Sequence, residues 1–364
     1  MPQPVPRILI IKPSSLGDVV HALPILAAAR KTYPQAHIAW LINENFAPFL
    51  VNHPLLDDVI PFHRRHYGRM WRSPRSFLDF WSFVLDLRKQ RFDLILDLQG
   101  LIRSGLTAFF SGAPRRFGLA DAREYAWLFY TNRVHCPPGV EHAVDKNVHL
   151  ARSAGLEIET PEFPLALRSE EYDDARRLLA GAAGHPLESF LAVLPGARWP
   201  SKLWPEENIA RLIDRAQDAG LPPVVLLGAP DERESARRII AACRSKVADL
   251  VGRTTLRQLS ATIDLARAVV CHDSGPMHIA AALNKPIVAL FGPTNPTRTG
   301  PYSPAARVLS HPIECSPCYR RSCPFGHQRC LRDLTPDTVC SELTQLLNAA
   351  LPNCATPAHA KSAP

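Results

Sequence analysis

The sequence predicts an α/β protein with two doubly wound parallel-sheet domains. A chain of 364 residues, 46% of them hydrophobic, is too long for one ordinary hydrophobic core. Short β-rich apolar runs alternate along it with helical patterns, which is typical of βαβ units. The alternation restarts after about residue 185, so we expect a second domain of the same type to follow the first.

The first half contains three predicted strands separated by helical segments. The strands are short apolar runs rich in β-branched and aliphatic residues, and helix-like segments lie between them. The predicted strands are Arg7–Ile11, His37–Ile42 and Asp93–Leu98, and the predicted helices are Val19–Arg30 and Phe77–Gln90.

The second half repeats this pattern with four strands and four helices. The predicted strands are Phe190–Leu194, Val224–Leu227, Ala268–Cys271 and Pro286–Phe291, and the predicted helices are Glu206–Ala219, Glu232–Cys243, Thr255–Ala266 and Met277–Leu283. Both halves therefore predict parallel sheets covered by helices.

We place the domain boundary within residues 168–186, which are charged, rich in Gly and Ala and without a strand pattern. This gives an N-terminal domain at 1–175, a C-terminal domain at 186–350 and a disordered tail at 351–364. Ligands of such sheets bind outside the carboxyl ends of the strands, so we expect a substrate cleft between the domains.

The composition indicates a cytoplasmic protein with an anionic partner. A net charge of +8 and a pI near 9.1 fit nucleic acid, a phosphorylated metabolite or an acidic membrane surface. No apolar run has the length of a signal peptide core or a spanning helix, and nine cysteines without an export signal argue against a disulfide framework. Five arginines without an acidic residue lie between His63 and Arg75, either as a solvated loop or as an anion-binding surface.

The loop after the first predicted strand carries the first candidate for chemistry. Lys12–Gly17 lacks the glycine patterns of dinucleotide-binding and P-loop proteins. Gly17 permits close backbone approach, and Asp18 falls at the start of the predicted helix, where the dipole favours the ionised carboxylate. Asp18 could accept a proton as a base or simply cap the helix, and the local sequence leaves both open.

Two loops of the second half could bind phosphate. Arg198 and Lys202 follow the strand that ends at Leu194, and both could equally be surface residues. His272–His278 follows another strand, where Pro276 suits a first helical turn and the backbone N–H groups of Gly275, Met277 and His278 could contact an anion.

Six ordered motifs resemble glycosyltransferase family 9, the ADP-heptose:lipopolysaccharide heptosyltransferases, along nearly the whole chain. The segment Arg64–Pro74, and Phe129-Tyr130 followed by His142–Lys146, resemble heptosyltransferase I in particular. The six motifs are Lys12–Pro24, Asp97–Gly100, Lys202–Glu206, Gly228–Glu232, Asp273–Ala282 and Phe291–Thr294.

The resemblance implies a GT-B architecture, with two Rossmann-like domains facing across a cleft. It implies inverting transfer of heptose from ADP-heptose to the Kdo-lipid A inner core of lipopolysaccharide, without a metal ion or other cofactor. The N-terminal domain is expected to bind the acceptor and the C-terminal domain the nucleotide sugar. The expected partners include the inner face of the cytoplasmic membrane, with peripheral association, and exclude nucleic acid.

The resemblance also assigns roles to individual residues. Asp18 corresponds to the general base and Lys202 to the lysine that contacts the donor phosphate. The Arg64 to Arg75 cluster is then expected to face an anionic lipid acceptor. The donor-binding residues implied are Gly196, Ala197, Lys202, Glu232, Thr254, Asp273, Ser274, Gly275 and His278, and the acceptor-binding residues are Ser15, Gly17, Arg64, Arg65, Gln99 and Arg123.

One departure from the family pattern concerns the donor, because Gly196-Ala197 stands where heptosyltransferase I has paired threonines. The alternatives are heptosyltransferase II, another family-9 transferase with a different nucleotide sugar, an epimerase, or a non-catalytic nucleotide- or nucleic-acid-binding protein.

A cysteine cluster could bind zinc or an iron–sulfur cluster, although a reduced structural loop is the favoured interpretation. Its members are Cys315, Cys318, Cys323 and Cys330.

Overall fold

The computed structural model describes residues 6–349, which divide into two compact units. Within these residues, the first unit comprises 6–171 with the segments Thr255–Ser260 and Asn295–Tyr302, and the second comprises the remainder. The predicted tail at 351–364 lies outside the described residues. Among those residues, no helix combines the length and the apolar character needed to cross a bilayer.

The first unit is a six-stranded parallel sheet in the order β3-β2-β1-β4-β5-β6. Its central strand β1 pairs with β2 and β4, so that Ile10 lies opposite Trp40 and Leu96. The strands are β1 Arg7–Ile11, β2 His37–Asn43, β3 Asp58–Phe62, β4 Leu94–Asp97, β5 Arg115–Leu119 and β6 Asn132–Val134. The helices are α1 Leu16–Val20, α2 Leu23–Thr32, α3 Ala47–Leu50, α4 Arg64–Tyr67, α5 Pro74–Lys89, α6 Ile102–Phe110 and α7 Ala143–Ser153, with a 3₁₀ turn at Ala126–Phe129.

The second unit repeats the same strand order, read as β9-β8-β7-β10-β11-β12. Its strands are β7 Leu191–Leu194, β8 Val224–Leu226, β9 Val247–Asp249, β10 Ala268–His272, β11 Ile287–Phe291 and β12 Ala306–Ser310. The remaining helices of the chain are α8 Ser169–Ala183, α9 Glu206–Asp218, α10 Arg233–Ala242, α11 Leu256–Leu265, α12 Gly275–Ala282, α13 Pro296–Thr299, α14 Arg329–Arg332 and α15 Pro336–Ala349. Short 3₁₀ turns occur at Pro200–Lys202 and Pro230–Glu232.

Each unit has its own hydrophobic core on the helix-covered faces of its sheet. In the first unit Leu9, Ile11 and Ile95 pack with Phe80 and Val84 of α5. In the second unit residues of β7, β10 and β11 pack with α9 and α15. Because the central strands are buried on both faces, their sequences are continuous apolar runs, and this is why they could be recognised.

All seven predicted strands are present, and five further strands were missed. The missed strands lie away from the centre of each sheet, where half-exposed backbone tolerates polar and irregular sequences. Pro61 interrupts β3, β5 contains two arginines and Gly118, and β12 is largely exposed.

One predicted helix needs correction, and the segment proposed as the linker contains a helix. The predicted helix Val19–Arg30 is two helices, because the chain breaks at His21-Ala22 and Pro24 lies in the first turn of α2, where its missing N–H costs no bond. The segment proposed as the linker is occupied by α8, and the division between the two units falls inside that helix, between Glu171 and Tyr172.

Candidate active-site residues in the two units

The strand order places the candidate residues at equivalent points of the two sheets. In each sheet the order reverses beside the first strand, between β1 and β4 and between β7 and β10. Loops that follow these strands lie at the carboxyl edge beside a topological switch point, where doubly wound sheets bind their ligands.

In the first unit, Lys12 joins the loops after β1 and β4. Its ammonium donates a hydrogen bond to Leu98 O at 2.6 Å and lies 3.7 Å from Asp18 Oδ1. Lys12 is 8% exposed, so its charge is held largely inside the protein. The Asp18 carboxylate therefore faces a fixed positive charge.

Asp18 is the third residue of α1, which begins at Leu16, three residues before the predicted start at Val19. Its Oδ2 accepts hydrogen bonds from the backbone N–H and the hydroxyl of Ser15, the N-cap residue of α1, at 2.6 and 2.8 Å. The side chain nevertheless remains 40% exposed. Capping and proton acceptance are thus compatible in this geometry, and Ser15 orients the carboxylate.

Asp97, at the end of β4, organises the next loop and was missed as a positioning residue. It is 1% exposed and accepts hydrogen bonds from Gln99 N at 2.9 Å and from the Tyr130 hydroxyl at 2.8 Å. Burial raises the pKa of Asp97 despite these bonds. Gly118 makes room for this arrangement, since a Cβ there would lie 2.1 Å from the Tyr130 ring.

The loops after β1 and β4 enclose a pocket with two arginines. Arg64 donates to Ser14 Oγ at 3.2 Å, and Arg103 Nη1 lies 3.5 Å from Arg64 O. Burial, followed by the nearby Arg64 charge, lowers the pKa of Arg103. Gln99 contributes an Oε1 atom that is buried without a hydrogen-bond partner in the described part of the chain. Within residues 6–349, neither guanidinium lies within 4.0 Å of a carboxylate.

The remaining acceptor candidates are placed differently. Ser15 is the N-cap of α1 and Gly17 lies in its first turn, whereas the Arg65 and Arg123 side chains are exposed and do not line this pocket. The Arg123 backbone N–H donates to Gly100 O at 3.0 Å, which holds the loop after β5 beside the loop after β4. Arg103 escaped prediction because a single arginine on a helix ordinarily indicates a solvated face.

In the second unit, Lys202 is held by Asp273 and by an aromatic ring. Its ammonium lies 2.5 Å from Asp273 Oδ2 and 4.7 Å from the centre of the Trp199 ring. The same carboxylate oxygen accepts a hydrogen bond from the Thr294 hydroxyl at 2.6 Å. Asp273 is therefore engaged in orienting Lys202, and Thr294, which ends the motif Phe291–Thr294 but had no predicted role, supports Asp273.

Glu232 explains the glycine at position 196. Its carboxylate fills the space that a side chain would need, because a Cβ on Gly196 would lie 1.8 Å from Glu232 Oε1. A Cβ on Gly228 would likewise lie 2.3 Å from Glu232 Oε2. Ala229 N donates a hydrogen bond to the same oxygen at 2.9 Å. Burial raises the pKa of Glu232. A threonine at 196 would displace this carboxylate.

Helix α12 presents its N-terminus at the end of β10. Ser274 is the N-cap, and its hydroxyl is buried without a hydrogen-bond partner in the described residues, while Gly275 and Pro276 form the first helical positions. The first-turn N–H groups of a helix lack internal acceptors and suit an anion. His278 is buried one turn further along. Ala197 and Thr254 are half-buried in the loops after β7 and β9.

Two further features fix the loop that carries Lys202. Trp204 N donates to His272 Nε2 at 2.9 Å, and burial lowers the pKa of His272 to about 4, so this histidine is neutral. Gln328 donates to Pro200 O at 3.0 Å and to Leu203 O at 2.7 Å, which bracket Lys202 in sequence. The Ser201 hydroxyl donates to Arg320 O at 2.6 Å.

The segment around Gln328 contains the cysteine cluster. All four cysteines are free thiols and line one cavity beside Ser201. Across residues 6–349, no group of three or more His, Cys, Asp or Glu side chains is placed to hold a metal ion. The segment that carries the cysteines contacts the Lys202 loop through Gln328 and the Arg320 carbonyl, so it supports that loop.

Two parallel six-stranded sheets of identical order, each with charged loops at its switch point, are the GT-B architecture found in glycosyltransferases. The model of glycosyltransferase family 9 (heptosyltransferase) matches residues 80–329. The chain belongs to this family.

Similar proteins support the same assignment over the whole length. Lipopolysaccharide heptosyltransferase 1 of Pseudomonas aeruginosa is 31% identical over 360 residues, covering 94% of this chain and 98% of the relative. Lipopolysaccharide heptosyltransferase 2 of Escherichia coli K12 is 30% identical over 353 residues, with the same coverages. The solved structure of E. coli ADP-heptose lipopolysaccharide heptosyltransferase II has a TM-score of 0.77 at 28% identity, covering 95% and 99% of the two chains.

A second solved structure, E. coli heptosyltransferase WaaC with ADP, has a TM-score of 0.75 at 27% identity and covers 93% of this chain and 99% of its own. The predictions of the family, the two-sheet α/β fold and the enzyme class are confirmed. Because heptosyltransferases 1 and 2 are about equally similar, the comparisons leave the choice between them open.

Proposed function

We propose that this enzyme transfers heptose from ADP-heptose to the Kdo-lipid A inner core of lipopolysaccharide, with inversion at the anomeric carbon. The observation that carries the proposal is that, in the first unit, one segment of chain contributes both the Asp18 carboxylate and a contact to the arginine pocket. Asp18 and Ser14 belong to the same short segment after β1, and Ser14 is hydrogen-bonded to Arg64. A base and a site for an acidic group are thus held by one loop.

The acceptor side follows from the unpaired charges of that pocket. Arg64 and Arg103 are half-buried like charges, an arrangement that an incoming carboxylate or phosphate stabilises. Gln99 adds a buried polar group that a sugar hydroxyl could satisfy. Kdo carries a carboxylate and hydroxyls, so it matches both features.

The donor side is assigned to the second unit. Lys202 and the N-terminus of α12 provide positive charge for the diphosphate, and Asp273 holds Lys202 in place. The Glu232 carboxylate accepts hydrogen bonds from the ribose hydroxyls. Backbone N–H groups near Gly196 serve where other family members use threonine hydroxyls.

The reaction is a single displacement. Asp18 removes the proton from an acceptor hydroxyl while that oxygen forms a bond to the anomeric carbon of the donor. The bond from this carbon to the diphosphate breaks at the opposite face, and ADP leaves with its negative charge stabilised by Lys202 and the α12 N-terminus. The product sugar therefore has inverted configuration.

The direct test incubates the purified protein with ADP-heptose and Kdo₂-lipid A and follows the lipid by mass spectrometry. The expected product is the acceptor increased by one heptose. Transfer only to an acceptor that already carries heptose would assign the chain as heptosyltransferase II, and transfer only from another nucleotide sugar would overturn the donor. We place the enzyme at the inner face of the cytoplasmic membrane, where a lipid-anchored acceptor would be met.

A further inference from the structure

Helix α5 has two apolar faces, and only one of them is buried. Phe80, Val84 and Leu87 are 1–2% exposed and pack on the sheet. Next to them, Leu78 is 66% and Leu85 56% exposed. Positions 77, 78, 81 and 85 fall within an arc of about 100° on a helix that turns about 100° per residue. Phe77, Leu78 and Leu85 are exposed, and the partly buried Trp81 lies between them, so the four side chains form a continuous apolar strip.

Aromatic rings extend this strip onto the neighbouring helix. The Trp81 ring lies 6.0 Å from that of Phe77 on α5 and 4.5 Å from that of Phe110 on α6. Phe109, which adjoins Phe110, is 45% exposed and lies 5.4 Å beneath the Arg116 guanidinium. An exposed apolar surface of several adjoining large side chains ordinarily marks an interaction site.

Exposed arginines border the strip on the segment that enters α5. Arg65, Arg69, Arg72 and Arg75 are all exposed, and Trp71 among them is 71% exposed. Among residues 6–349, no carboxylate lies within 4.0 Å of these guanidinium groups, and the acidic residues of α5 contact other side chains, Asp79 that of His66 and Asp86 that of Lys89. The surface therefore combines insertable apolar side chains with unpaired positive charge.

We propose that this docking face rests on the surface of an anionic phospholipid bilayer. Trp and Leu side chains insert at the headgroup boundary, while arginines bind lipid phosphates. The docking face is defined by Trp71, Phe77, Leu78, Trp81, Leu85 and Phe109 together with Arg65, Arg69, Arg72 and Arg75.

A bilayer fits this face better than a second copy of the chain. A two-fold pairing of the face would bring the arginines of both copies together, and that repulsion is absent against anionic lipid. The arginine segment also runs directly from Arg64 of the acceptor pocket to the start of α5. The inference rests on the proposed function only in linking this surface to a lipid-anchored acceptor.

The test measures co-sedimentation with vesicles of phosphatidylcholine alone or mixed with phosphatidylglycerol. The wild-type protein is expected to bind the anionic vesicles and to be released by salt. Leu78→Glu should weaken this binding about tenfold or more, whereas Val308→Glu, the same kind of change on the exposed β12 of the second unit, should not.

A second pair of variants tests the charges. Arg69→Glu with Arg72→Glu should abolish preference for anionic vesicles, while Arg176→Glu with Arg177→Glu on α8 makes the same charge change and should retain it. Equal losses in both variants, or no vesicle binding by the wild type, would overturn the proposal. If the wild-type protein forms a dimer instead of binding vesicles, and Leu78→Glu dissociates that dimer, the face is an interface with a second copy of the chain.

These experiments test the docking face separately from the proposed function, because vesicle binding needs neither donor nor acceptor. Leu78→Glu should transfer sugar to a deacylated, water-soluble acceptor at the wild-type rate and lose activity only on acceptor embedded in vesicles. Vesicle binding without any transfer would reject the proposed reaction and leave the docking face supported.

Discussion

At the scale of single residues, Asp18 has two roles, as a helix cap and as the proposed base, and a substitution can separate them. In Asp18→Asn the amide oxygen can still accept from Ser15 N, so the cap survives, but the side chain no longer takes a proton. We expect turnover to fall about 10²-fold or more with little change in ADP-heptose affinity. Turnover from initial rates, together with calorimetric titration of the donor, checks this. Near-normal turnover would leave Asp18 as a helix cap alone.

Gly196 and Glu232 form a second residue-scale unit. Gly196→Ala places a methyl group where the Glu232 carboxylate lies, 1.8 Å from Oε1, so one of them must move. We expect ADP affinity to fall about tenfold while the protein stays folded, because such overpacking costs about 1–3 kcal/mol. Gly181→Ala on α8, with open space around its Cβ position, is the matched control. Unchanged ADP affinity would mean that Glu232 does not bind the nucleotide.

The raised pKa of Glu232 predicts a pH dependence of nucleotide binding. An ordinary glutamate has a pKa of about 4.3, and burial raises that of Glu232, so the folded protein retains this proton to higher pH. The carboxylate that would accept ribose hydroxyls is lost as pH falls through the raised value. ADP affinity measured calorimetrically should therefore begin to weaken at a higher pH than an ordinary carboxylate allows. Glu232→Gln should flatten this dependence; the same slope in both proteins would assign it elsewhere.

At the scale of elements, the segment that carries the cysteines supports the Lys202 turn through Gln328. Gln328→Glu replaces two donated hydrogen bonds by repulsion between a carboxylate and the carbonyls of Pro200 and Leu203. We expect the KM for donor to rise several-fold, with an unchanged circular dichroism spectrum, because Lys202 loses its fixed position. Gln345→Glu on the exposed side of α15 is the control. Equal kinetics in both variants would show that the contact is dispensable.

The elements also show what the sequence could and could not reveal. Central strands such as β1 are buried on both faces and follow a simple apolar pattern, so they and the loops at their carboxyl ends were predictable. Those loops hold Asp18, Lys202 and Asp273. The contacts of Thr294 and Gln328 could not be predicted, because their partners lie 21 and 125 residues away along the chain. Such distant side-chain contacts leave no periodic signal.

At the scale of the molecule, an ion pair joins a distant segment to the first unit. Arg257, from Thr255–Ser260, donates to Glu171 at 2.6 Å, to Phe49 O at 3.1 Å and to Ala166 O at 2.7 Å. The Glu171 and Arg257 side chains are only 8% and 12% exposed. Although burial opposes it, the hydrogen bonds from Arg257 and Arg168 lower the pKa of Glu171 to about 2.

This pair predicts a stability loss with a defined pH range. Glu171→Gln should lower the free energy of unfolding at pH 7 by about 3 kcal/mol, since it leaves Arg257 buried without its partner charge. A carboxylate with a lowered pKa contributes fully above its unfolded value of about 4.3 and loses that contribution as pH falls toward about 2. Urea denaturation at pH 7 and pH 3 should therefore show a smaller difference from wild type at pH 3. The exposed Glu207→Gln should change neither value, and a Glu171→Gln protein as stable as wild type at pH 7 would show that other contacts hold the segment.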